Sequence, residues 1–138
     1  MAQTIVFKLG LTMTDIRLQS LREIARFFGI CSCLTSTALW IVSLFLNPYG
    51  TNGRTAGSYV IVALMVGFAG IGAYLSWAAR PVGMDVVFIF SFVPIGFYTL
   101  LTPSFFKFIG VANLLFLGAA LLLHAAASIE KRHRRRSA

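Results

Sequence analysis

The chain has 138 residues, of which 58% are hydrophobic and only 12% charged, and its formal net charge is +8. A soluble domain of this length carries about 25% charged residues, so the composition argues against a water-soluble globule and places one domain in a membrane. The basic residues sit at the ends of apolar runs rather than on a folded face with interleaved aromatics, which argues against nucleic acid as a partner.

Residues 1–26 read as a segment preceding the first apolar run. The first 12 alternate weakly and carry no charge cluster. Helical patterning begins at Thr14, with Thr14 or Asp15 as N-cap and Leu18, Leu21, Ala25 and Phe28 on one face. Arg17, Arg22, Glu23 and Arg26 take the other positions, so a basic amphipathic juxtamembrane helix is expected, lying on the membrane surface before the chain turns inward. The run that follows is longer than the core of a signal peptide and has no small-residue cleavage site after it, so it is expected to be an anchor.

Span 1, residues 27–46, contains Cys31, Cys33 and the run Thr35-Ser36-Thr37. Hydroxyls in a membrane helix bond carbonyls of their own helix and need not mark a pore. Asn47-Pro48-Tyr49-Gly50 ends the run, and a Gly/Asn/Thr-rich loop reaches Gly57. Span 2, residues 58–79, places Ala63 four residues before Gly67, and Ala69 four before Ala73, with Gly70 between. Such small faces let another helix backbone approach closely. A tight Arg80-to-Asp85 connection follows, across which those two charges are expected to pair.

Spans 3 and 4, residues 86–102 and 108–128, fold back about Thr102-Pro103-Ser104 as a hairpin. Pro94 lacks an N–H in the middle of span 3 and should kink the helix or open a local turn, with Gly96 two residues on. The freed Phe90 carbonyl needs a protein partner in lipid, and Ser91 is a candidate neighbour. Folding about Phe105 brings Tyr98 level with Asn113, and the two are expected to face each other as a polar pair locking the fold. Folding the preceding turn likewise brings Tyr74 level with Ser91.

Residues 129–138 read as a solvated basic tail, with Lys131, Arg132, Arg134, Arg135 and Arg136 against anionic headgroups. Four spans put both termini on one side. Lys8, Arg17, Arg22, Arg26, Arg80 and the five tail residues lie there, against Arg54 and Lys107 opposite, so both ends are expected in the cytoplasm. The expected fold is therefore an all-α four-transmembrane-helix bundle of two antiparallel hairpins, in the plasma (inner) membrane.

Chemistry has few candidates. Cys31, Cys33 and His124 lie at similar depth and form the sharpest metal or haem hypothesis, but residues two apart on a helix point in separated directions. No metal site, cofactor or enzyme activity is expected. The leading expectation is an accessory or assembly subunit, or a scaffold, acting through helix association as a homo-oligomer or in a larger membrane complex. The alternative is a small oligomeric transporter or channel for a neutral or apolar solute, its path lined by Pro94, Gly96, Tyr98, Asn113 and the residues Thr35 to Thr37.

Overall fold

The computed structural model describes residues 13–45 and 55–137. Within them the chain is helical, in the order α1 (Met13–Phe45), α2 (Ala56–Trp77), α3 (Pro81–Ser91), a π-helical turn (Phe92–Gly96), α4 (Phe97–Leu101) and α5 (Lys107–Ser137). Four stretches are long and apolar enough to cross a bilayer: Asp15–Phe45, Ala56–Trp77, Pro81–Leu101, which spans α3 to α4, and Lys107–Arg132. The expected residues 1–12 and the Asn47 loop, with Arg54, lie outside the described residues.

The helices form a four-walled bundle: α1 packs on α5 and α2, α2 on α3, and α3, the π turn and α4 on α5. Small residues line the closest seams. The inward stripe of α5 is Ile109, Ala112, Asn113, Phe116, Ala119, Ala120, Leu123 and Ala126, so alanines bring α1 and α5 together as membrane helices require. Many large aliphatics point the other way; Leu34, Val60, Val82 and Leu101 are each more than 60% exposed. An apolar surface of that extent in water is an aggregation liability, whereas hydrocarbon solvates it. The protein is a multi-pass α-helical membrane protein.

Two elements differ from expectation. The N-terminal amphipathic segment does not lie apart on the surface: it continues into span 1 as one 33-residue helix. Its apolar stripe is partly covered by α5, which is almost as long: Ala25 is fully buried in the cluster that contains Ala119, Ala120 and Leu123, while Phe28 stays exposed. At 1.5 Å per residue α1 is roughly 50 Å long, against about 30 Å of hydrocarbon. Both long helices therefore project past the bilayer at the same end, where Arg22 donates to Glu130. The expected solvated tail is likewise the last turns of α5, with Lys131, Arg132 and Arg135 exposed on them. Thr14 and Asp15 lie inside α1 rather than capping it.

The α2–α3 connection is set by a cap. The Ala79 N–H donates to the Ser76 carbonyl and the Arg80 N–H to the Leu75 carbonyl, with Ala79 in the left-handed region at φ 51°. This is a Schellman motif with alanine where glycine is usual, and Pro81 then starts α3. At its other end α2 is capped by Thr55, whose side chain accepts from the Ser58 N–H at 3.3 Å.

Candidate functional site

The polar groups of the bundle gather at two levels, one in the middle of the spans and one at the end that carries both termini. The middle level is built by the π turn. In an uninterrupted α-helix Ser91 and Tyr98, seven apart, would share a face. The π turn holds one more residue than an α turn, and the Phe97 N–H reaches back to the Phe92 carbonyl across Pro94, which has no N–H to give. Buried positions run Met84, Val87, then Gly96 and Thr99. The extra residue hands the inward slot to Thr99, 7% exposed, and turns Tyr98 out to 73%.

The expected Tyr98–Asn113 pair is therefore not formed. Asn113 is bonded by Ser91 instead: the Ser91 hydroxyl donates to Asn113 Oδ1 at 3.0 Å, and Asn113 Nδ2 donates to the Ile109 carbonyl at 3.1 Å. Gly96 makes room for this, since a Cβ there would stand 3.1 Å from Asn113 Nδ2. The second carbonyl near the Ser91 hydroxyl is that of Phe88, at 3.3 Å, not Phe90. Tyr74, expected level with Ser91, is 62% exposed. Depth was legible from the hairpin; azimuth was not.

Between the two core clusters, one holding Met84, Phe116 and Leu123 and the other Trp40, Val62 and Ile109, the bundle leaves a small cavity. Its polar lining is Ser32, Cys33 and Ser36 from α1, Ser91 from α3 and Asn113 from α5. Of the residues expected to line a path, Asn113 and Ser36 reach it; Tyr98 and Thr35 are turned outward.

At the terminal end, His124 Nε2 lies 2.7 Å from Asp85 Oδ2. Asp85 sits on the second turn of α3 and pairs with α5 rather than with Arg80. The fold-back about Phe105 that set Tyr98 level with Asn113 also sets Asp85 level with His124, so the signal was present in the spacing. Arg26 Nη1 donates to Glu23 at 2.9 Å, while its Nε is buried with no partner among the described residues. The side chains of Arg134 and Arg136 lie outside the described residues.

Cys31, Cys33 and His124 are not brought together. Cys33 is buried against α2, where a Cβ on Gly72 would stand 3.0 Å from its sulfur. Cys31 is half-buried and His124 is engaged by Asp85. Among the described residues no three His, Cys, Asp or Glu side chains are placed to hold a metal ion.

Gly67 and Gly70 face outward from α2, with nothing within 4 Å of where a Cβ would stand. The buried stripe of that helix is Val62, Met65, Ala69, Gly72 and Ser76, so the glycines expected to pack helices do not do so within this chain. Comparison with protein-family models, curated proteins and solved structures finds no match.

Proposed function

We propose that this is a non-catalytic accessory or assembly subunit, or a small scaffold, that acts through helix–helix association in the plasma (inner) membrane. The observation that supports this best is the open face of α2, where Gly67 and Gly70 stand beside exposed Leu64 and Ile71. A membrane helix presenting small residues between large ones admits a second backbone at close range. The partner is a second copy of the chain or a subunit of a larger complex. Three of the buried or half-buried polar side chains are committed to internal bonds: Ser91 to Asn113, Ser76 to the Gly72 carbonyl at 2.8 Å, Thr99 to the Gly96 carbonyl at 2.9 Å. That supports a structural rather than a catalytic use.

Both termini are proposed to be cytoplasmic. Arg17, Arg22, Arg26, Arg80, Lys131, Arg132 and Arg135 share one end of the bundle while Lys107 lies at the other, the asymmetry that orients membrane proteins. The basic end faces anionic headgroups, each basic residue near the surface contributing about 1 kcal/mol.

Native mass spectrometry of protein extracted gently with its lipids tests the association. Wild type should run as an assembly, and Gly67→Leu should release the monomer with its helix content intact, because Gly67 touches nothing inside the bundle. An assembly unchanged by Gly67→Leu would refute this face. The midplane cavity favours a second reading, conduction of a small neutral solute. Flux in liposomes that Asn113→Leu abolishes, without a change in assembly size, would favour that reading over association.

A further inference from the structure

We infer that the midplane cavity is a binding site for a single water molecule, which joins α1 to the Ser91–Asn113 pair. Three observations converge. First, the cavity offers the centre of a water molecule about 20 Å³ of room, above the roughly 10–15 Å³ that one water needs and well short of what a chain of waters fills.

Second, one wall holds hydroxyls with unused bonding capacity. Ser32 is 96% buried by difference from its 4% exposure and lines the cavity. Neither it nor Ser36 has a hydrogen-bond partner among the described residues. This is unlike Ser43, Ser76, Thr99 and Thr102, each of which back-bonds a carbonyl of its own helix. Both hydroxyls border the cavity rather than being sealed into its wall, and a water there supplies the bond that the apolar surroundings cannot.

Third, the opposite wall has complementary capacity. Asn113 has two amide hydrogens and two carbonyl lone pairs, and the protein uses one of each. Ser32 and Ser36, four apart, lie on one face of α1, and Asn113 stands across the cavity on α5. A water between them finds donors and acceptors on both sides, within the two to four polar partners that buried waters keep. Apart from Cys33, the rest of the lining, such as Trp40, Met65 and Phe116, is apolar, which confines the water to the polar wall. The site thus gives α1 a polar tie to the α3–α5 pair in the middle of the membrane.

The test uses full-length protein in lipid bilayers, labelled with ¹⁵N-asparagine, and solid-state NMR magnetisation transfer from water to side-chain amides. The chain has three asparagines, Asn47, Asn52 and Asn113, and Asn113→Gln assigns the third signal. The expected result is transfer from water to the Asn113 amide, lost in Ser32→Ala/Ser36→Ala while the amide shift that reports the Ser91 bond stays. Those alanines suit a membrane helix, and unchanged amide shifts at Asn113 verify the fold. Transfer from lipid acyl protons in place of water would show a site open to a hydrocarbon chain. No transfer from either, with xenon entering the cavity, would show a dry void. Either result overturns the assignment, as does water transfer that survives the double substitution.

Discussion

Gly110 is where the hairpin closes most tightly, and replacing it with alanine gives a prediction whose size follows from the geometry. A Cβ there would stand 2.6 Å from Leu100 Cβ and 2.9 Å from both Leu100 Cα and the Gly96 carbonyl oxygen. Two of those three atoms are backbone, so no rotamer change relieves the overlap; α4 and α5 must part by on the order of 1 Å to restore ordinary contact distances. Overpacking of this kind costs about 1–3 kcal/mol, and alanine returns about 1 kcal/mol over glycine in helix propensity. The expected net loss is about 0–2 kcal/mol. Gly118 supplies the control, since nothing lies within 4 Å of its Cβ position: Gly118→Ala should be neutral or stabilise by up to about 1 kcal/mol. Reversible unfolding in mixed micelles, followed by the fluorescence of buried Trp40, measures both. Equal stabilities for the two variants would refute the close approach of α4 to α5.

Ala79→Gly should stabilise the fold by about 1 kcal/mol in the same assay, because an L-residue in the left-handed region is strained by roughly that much and the cap hydrogen bonds are kept. A double-mutant cycle on Ser91→Ala and Asn113→Ala should return a coupling of about 0.6–1.7 kcal/mol, the range found for hydrogen bonds between membrane helices; additive losses would separate the pair. His124→Ala and Asp85→Asn should each cost under about 1 kcal/mol, since both side chains are more than a third exposed and such pairs contribute little. A loss above about 2 kcal/mol in micelle unfolding would mean that the pair is shielded from solvent in the membrane.

Much of the architecture could be read without coordinates, for definite physical reasons. Apolar runs flanked by charge identify the spans, because a bilayer imposes one length and one polarity on anything that crosses it. Pro94 announced a break, and the structure supplies a π turn there. Asn113 announced a polar contact, since an amide in hydrocarbon needs a partner. What the one-dimensional pattern could not supply was rotation about each helix axis. One extra residue in the π turn moves Tyr98 from the inner face to the outer, and nothing in the spacing of residues before it reveals that step. Gly67 and Gly70 illustrate the same limit, because small residues mark close approach without saying whether the neighbour belongs to the same chain. The amphipathic pattern of the basic stretch from Arg17 to Arg26 by itself points to a surface helix. Its apolar face found α5 instead, a partner visible only once the last helix is known to continue through residue 137.

The central claim is that four apolar helices carry the chain back and forth across a bilayer, with its basic ends on the inner side. Labelling of single cysteines with a membrane-impermeant maleimide in intact cells tests it most directly, in a background where Cys31 and Cys33 are replaced by alanine. Cysteines at Thr55 and Ser104 should label from outside, and those at Arg80 and Lys131 only after the membrane is opened. The reverse division would overturn the orientation alone; equal labelling of all four in intact cells would contradict a spanning bundle altogether.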